Sequence, residues 1–106
     1  MVKSRNQIDR IIKNVVALLR KEIEVDAAIL FGSYASGKAH EFSDIDLAVF
    51  SKSVEKWTLD EKIKFACKVK RTEPMVELHL YTLKALKEAR PTNFHGHIIE
   101  TGKKVA

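Results

Sequence analysis

The chain has 106 residues, 45% of them hydrophobic and 31% charged, which is typical of a folded globular protein. Its net charge of +5 fits a protein that attracts the phosphates of nucleotides or RNA, or one whose lysine-rich helices are merely solvated. The lone Cys67 excludes an internal disulfide and favours a reducing, cytoplasmic setting, and no apolar run approaches a membrane span. We expect a single domain over residues 1–106, with a polar start unlike a signal peptide.

Hydrophobic periodicity predicts alternating helices and strands. In chain order, the predicted elements are a helix over 5–22, strands over 27–31 and 45–50, a helix over 57–71, a strand over 76–81 and short helices over 83–90 and 93–101. Thr82 is the predicted N-cap of the first short helix and Pro91 its stop. The predicted core-facing side of the second long helix comprises Leu59, Ile63, Ala66 and Cys67.

The loop between the first two predicted strands has about 13 polar residues and no helical pattern. It is too short for a crossover helix, so these strands are expected to be antiparallel neighbours. The sequence therefore predicts an α+β fold, with a small mixed, largely antiparallel sheet flanked by helices that lie on one side of it.

Two aspartates stand at the start of the second predicted strand. Because side chains alternate along a strand, Asp44 and Asp46 share one face, whereas Ile45, Leu47 and Val49 share the other. Carboxylates on one face repel each other unless a cation lies between them, and Mg²⁺ is the usual hard cation with oxygen ligands. An isolated pair of this kind is also compatible with an exposed turn.

A Gly-Ser turn precedes the aspartates. Gly32 ends an apolar strand and lets the backbone approach a ligand, and Ser33 offers a hydroxyl and nearby N–H groups to phosphate oxygens. Lys38, in the same loop, adds positive charge. Together with the aspartates, the turn forms the two halves of a site for a metal-bound triphosphate.

The order Gly32-Ser33, ten residues and then Asp44-Ile45-Asp46 resembles the GSx10DxD signature of the polymerase-beta-type nucleotidyltransferase superfamily. Ser43 and the apolar run 47–49 flank the aspartates as in that pattern. Within the superfamily, the chain resembles the minimal nucleotidyltransferases, small proteins that are often encoded beside a HEPN-domain partner. The resemblance covers nearly the whole chain and implies a polymerase-beta palm-like fold.

The resemblance also implies roles. Asp44 and Asp46 would be catalytic metal ligands, and Glu77 occupies the position of the family's third carboxylate, which is usually an aspartate. The implied nucleotide-binding residues are Gly32, Ser33, Lys38 and Ser43. The implied cofactors are Mg²⁺, as in a two-metal site, and ATP as the nucleotide donor. The implied reaction is transfer of AMP to an acceptor, and the implied acceptor is a HEPN-type ribonuclease toxin, which makes the chain an antitoxin.

Two other classes of function stay open. A non-catalytic module that binds nucleotide or blocks its partner by complex formation is compatible with the glutamate at the third position. A basic RNA-binding protein would need aromatics interleaved with its cations, and Phe65 has the spacing of a core residue, so RNA is not favoured. His79, on the face of Glu77, is expected to be a hydrogen-bonded neighbour, and His95 and His97 point to different helix faces. Homo- or hetero-oligomers are plausible for so short a chain.

Overall fold

The computed structural model describes residues 3–40, 43–90 and 93–106. The elements are α1 (Arg5–Arg20), β1 (Ala27–Phe31), α2 (Ser33–Ser36), β2 (Ile45–Ser51), a 3₁₀ turn (Lys52–Val54), α3 (Leu59–Thr72), β3 (Val76–Thr82), α4 (Leu83–Lys87), α5 (Phe94–Thr101) and β4 (Lys103–Lys104). Every predicted helix and strand is present, and α2, the 3₁₀ turn and β4 are additional. The predicted stop at Pro91 lies outside the described residues. Within the described ranges, no helix is long and apolar enough to cross a membrane.

Side-chain caps decide where two of the helices begin. Thr58 and Glu61 form a capping box, in which each side chain accepts the backbone N–H of the other residue. This cap starts α3 at Leu59, two residues later than the predicted start at Trp57. Thr82 caps α4 as predicted, because its hydroxyl accepts a backbone N–H from the first turn of that helix.

The sheet has four strands in the order β3-β2-β1-β4. Strand β1 is antiparallel to both β2 and β4, which confirms the predicted antiparallel pair and the largely antiparallel sheet. Strand β3 is parallel to β2 because α3 crosses over between them. The register aligns residues 45–51 of β2 with residues 76–82 of β3.

Hydrophobic residues cover both faces of the sheet. The larger cluster comprises Ile8, Ile12, Val15, Val16, Leu19, Ile23, Ala28, Leu30, Ile45, Leu47, Val49, Val54, Phe65, Val69, Val76 and Leu78. The smaller cluster comprises Ala27, Ile29, Ala48, Phe50 and Ile98. Helices α1 and α3 pack on the first face, and α4 and α5 pack on the second. The prediction of helices on one side is therefore wrong, because the alternate residues of β1 and β2 are apolar too and need cover of their own.

The rotation of α3 about its axis also differs from the prediction. Leu59 is 73% exposed and Ile63 52% exposed, and the lone cysteine, expected in the core, is exposed. Of the four predicted core positions, only the alanine packs against the larger cluster. The buried residues of α3 are Phe65 and Val69, and the ring of Phe65 stacks on that of Trp57 with 5.4 Å between centroids. The large aromatic side chain decides which face is buried, since it removes the most apolar area from water.

Candidate active site

The sheet brings two of the three expected carboxylates side by side. Asp46 of β2 lies opposite Phe31 of β1 and beside Glu77 of β3 in the strand register. Both acids project on the face of the smaller cluster, because their strand neighbours are buried in the larger one. Asp44, exposed just before β2, is close enough for its charge to raise the pKa of Asp46. The predicted alternation of faces is confirmed here.

The Gly-Ser turn packs directly on the second aspartate. Gly32 has a φ of +76°, which L-residues rarely adopt, and it caps the short helix α2. A Cβ at this position would collide with Asp46 Oδ2 and would lie 3.2 Å from Asp46 Cγ. Conformation and space both require glycine, so the turn and the carboxylate form one site.

Asp46 is held in partly buried surroundings. Its Oδ1 lies 3.5 Å from Nε2 of His79, an ion-pair distance that is long for a hydrogen bond, and this buried nitrogen has no other partner among the described residues. The His79 ring packs edge-on against Phe31, 5.0 Å between centroids. Burial raises the pKa of Asp46, and the neighbouring carboxylates of Glu77 and Asp44 raise it further, although His79 opposes them. An ionised Asp46 therefore favours a nearby cation.

A cation from α3 engages the third carboxylate. Nζ of Lys70 lies 2.9 Å from Oε2 of Glu77, and this hydrogen bond lowers the pKa of Glu77 and raises that of Lys70. The charges of Asp44 and Asp46 also act on Lys70. Sequence reasoning gave this lysine no role in the site. The available signal was the short α3–β3 connection, which returns the last helical turn to the start of the next strand.

The remaining predicted binding residues lie in the loop between β1 and β2. Ser33 begins α2, and its carbonyl accepts the backbone N–H of Lys38 at 3.0 Å. The Lys38 side chain is exposed and makes no ion pair within the described ranges. Ser43 is buried, and its Oγ accepts the backbone N–H of His40 at 2.9 Å. The structure therefore joins Ser43 to the loop itself, which brings the chain into the first residues of β2.

The donor set of this site fits a hard divalent cation. It consists of carboxylate oxygens, and burial, with smaller contributions from the charges of Glu77 and Asp44, raises the pKa of Asp46, which a bound cation would offset. No three acidic, histidine or cysteine side chains of the described residues converge as a metal-binding group. Glu77 is paired with the cation of Lys70. Asp44 and Asp46 are the residues that could hold a metal here, and Glu77 could join them if its ion pair opened.

Comparison with known proteins agrees with this geometry. A family model described as "Polymerase beta, Nucleotidyltransferase" matches residues 13–106. Among curated proteins, none matches the sequence significantly.

Two solved structures are similar in fold. A candidate nucleotidyltransferase from Sulfolobus solfataricus has a TM-score of 0.65 and 16% identity, over 82% of this chain and 83% of its own. A toxin–antitoxin structure with AMP-PNP has a TM-score of 0.63 and 24% identity, over 92% of this chain and 72% of its own. At these identities, the likeness establishes the α+β fold with its sheet flanked by helices.

Proposed function

Because the chain belongs to the polymerase beta nucleotidyltransferase family, we propose that it transfers a nucleoside monophosphate, AMP from ATP, to an acceptor in a Mg²⁺-dependent reaction. One observation carries the proposal: the Gly32 turn lies against Asp46, and Glu77 is beside Asp46 in the sheet. This contact joins the half of the site that suits phosphates to the half that suits a metal. In this proposal, residues 1–106 act as a single catalytic domain.

Each residue of the site has a definite task in this reaction. Asp44 and Asp46 would hold Mg²⁺, and Glu77, which is paired with Lys70, would be their third ligand if that ion pair opened. When bound, Mg²⁺ neutralises the triphosphate and lowers the charge barrier to attack. Gly32 and the residues that follow it position the β- and γ-phosphates, so that the α-phosphorus faces the acceptor.

The acceptor oxygen then forms a bond to the α-phosphorus, and the bond to the β-phosphate breaks, so that pyrophosphate leaves. Glu77 accepts the proton of the acceptor group. While its ion pair with Lys70 is intact, the lowered pKa of Glu77 makes it a weak base. Lys38 adds charge beside the phosphates, and Ser43 keeps the loop closed around them.

We propose that the acceptor is a protein, a HEPN-type ribonuclease toxin, and that its modification makes this chain an antitoxin. The support is the resemblance of Gly32-Ser33 and Asp44-Ile45-Asp46 to minimal nucleotidyltransferases, together with a fold shared with a toxin–antitoxin structure with AMP-PNP.

One observation favours a second function. The ion pair with Lys70 occupies the third carboxylate, Glu77, with a protein cation, as expected for a module that binds nucleotide or its partner without turnover. In that case, complex formation alone neutralises the partner.

A transfer assay separates the two functions. The protein is incubated with α-labelled ATP, Mg²⁺ and the product of the neighbouring gene, and label on that product is measured. The double variant Asp44→Asn/Asp46→Asn is the control. Transfer by the wild type alone supports the enzyme. Equal partner binding by both proteins without any transfer supports the binding module, and label found only on RNA contradicts the antitoxin role.

A further inference from the structure

A groove of about 860 Å³ runs along α1, away from the carboxylates. One wall is α1, and the other is the segment of residues 103–106 that contains β4. This segment is fixed to the sheet, because Val105 and Ala106 exchange backbone hydrogen bonds with Ala28 of β1. The lining includes none of the carboxylates of the candidate active site, so the groove is a separate surface.

The rim of the groove is strongly basic. Its cations are Lys3, Arg5, Lys13, Arg20, Lys103 and Lys104. A single acid, Asp9, lines the same groove. None of the six cations has an ion-pair partner among residues 3–40, 43–90 and 93–106, whereas Lys52 and Lys68 elsewhere are paired with glutamates. Such a one-sided set of charges attracts a negatively charged ligand.

The floor of the groove is aliphatic rather than aromatic. It is formed by Ile8, Ile12, Val16, Leu30 and Val105. Tyr34 is the one aromatic residue of the described lining, and its buried hydroxyl has no hydrogen-bond partner in the part of the chain that the structure describes. An aliphatic floor suits leucine or isoleucine side chains, whereas single-stranded RNA would need exposed aromatic platforms.

The groove also has an open sheet edge. β4 is the outermost strand beyond β1, and no strand of the described residues pairs with its outer side. An extended peptide can add to such an edge through backbone hydrogen bonds while its side chains reach alternate pockets. We propose that this groove binds an acidic, amphipathic segment of a partner protein, with its acids on the basic rim and its aliphatic side chains on the floor. The inference holds whether or not the chain transfers nucleotides.

Binding is tested with a fluorescein-labelled peptide whose glutamates form one face and whose leucines form the other. Fluorescence anisotropy measures its affinity for the whole chain. The test variant is Lys13→Glu/Arg20→Glu. The matched control is Lys56→Glu/Lys87→Glu, which changes the net charge equally at exposed lysines outside the groove. We expect the test pair to weaken binding about tenfold or more and the control pair to change it less than about threefold. Val105→Asp, which places a negative charge on the floor of the groove, should also weaken peptide binding.

Three results would overturn the proposal. One is equal weakening by both pairs, which indicates a general charge effect; another is no binding of the acidic peptide. The third is tighter binding of a single-stranded RNA of similar length through Lys13 and Arg20. The amide NMR spectra of the variants, compared with that of the wild type, show whether the variants are folded. In the wild type, the peptide should shift the amide signals of α1 and β4 and leave those of residues 44–46 unchanged.

Discussion

Lys70, in the last turn of α3, and Glu77, at the start of β3, form a 2.9 Å ion pair that ties the third carboxylate of the candidate active site to a protein cation. Both side chains are nearly half exposed, so the pair itself stabilises the fold little. Its effect is electrostatic and local. The negative charges of Asp44 and Asp46 also act on Lys70, so all three acids of the candidate site favour a cation at this position.

Removing this cation should improve metal binding. We expect Lys70→Met to bind Mg²⁺ with a non-hydrolysable ATP analogue about three- to tenfold more tightly, because Glu77 loses its competing partner. Isothermal titration calorimetry measures this affinity. Lys68→Met is the matched control, since Lys68 lies in the same helix and pairs with Glu22 instead. Weaker binding by Lys70→Met would mean that this lysine contacts the nucleotide.

Two glycines with the same backbone conformation provide a test of the turn. Gly32 and Gly37 have φ values of +76° and +77°, but only a Cβ at Gly32 meets Asp46; at Gly37 nothing lies within 4 Å. Alanine at either position should cost about 1–2 kcal/mol of stability, because L-residues are strained there. Only Gly32→Ala should also abolish nucleotide and Mg²⁺ binding. Urea unfolding and calorimetry on both variants distinguish strain from loss of the site, and equal binding losses would contradict the proposed contact.

The pKa of Asp46 predicts a conflict between stability and function. A carboxyl whose pKa is higher in the folded protein than its unfolded value of 3.8 binds more protons when folded, so the metal-free protein loses stability as pH rises above that value. Asp46→Asn removes this penalty. We expect the variant to be more stable than the wild type at neutral pH, and the difference to shrink as the pH falls below the unfolded value of 3.8.

Urea unfolding in EDTA over this pH range measures the effect. Added Mg²⁺ should then stabilise the wild type and leave Asp46→Asn nearly unchanged. If the metal-free wild type is instead more stable than Asp46→Asn at neutral pH, the favourable interaction of Asp46 with His79 outweighs the cost of burying its carboxylate.

The rotation of α3 can be checked by truncating each face of the helix. Phe65→Ala should lower the free energy of unfolding by about 3–5 kcal/mol, because the ring is buried against Trp57 in the larger cluster. Ile63→Ala, on the exposed face, should change it by less than about 0.5 kcal/mol. Chemical denaturation compares them, and a large effect at Ile63 would restore the rotation expected from periodicity.

The sequence predicted what depends on local pattern. The alternation of faces along β2 and β3, the cap at Thr82 and the antiparallel first hairpin follow from spacing and loop length, and all are confirmed. Features that depend on competition between distant groups were not predictable in this way. Both sides of α3 carry apolar residues, and tertiary packing of Phe65 decides between them. The two residues of β4 are lysines without a strand pattern, and only their pairing with β1 makes them a strand.

The candidate site shows the same division. The sequence predicts the Gly32 turn and the aspartates as two halves of one site, since both lie in a single stretch of the chain; the close packing of Gly32 on Asp46 is seen only in the structure. The ion-pair partner of Glu77 was not predicted. Lys70 is one of several similar lysines on α3, and only the geometry of the α3–β3 turn distinguishes it from the others.

The unequal covering of the two sheet faces has a consequence for motion. Among the side chains that the structure describes, Ile98 is the one buried residue that α4 and α5 contribute to the smaller cluster, whereas α1 and α3 contribute several to the larger cluster. Elements with few buried contacts open at a lower free energy than the core, so backbone amides of α4 and α5 should exchange with solvent hydrogen well before those of α1. Asp46 and Glu77 lie on the face that α4 and α5 cover, so local opening of these helices would widen the access of a partner to both partly exposed carboxylates while the opposite layer stays folded.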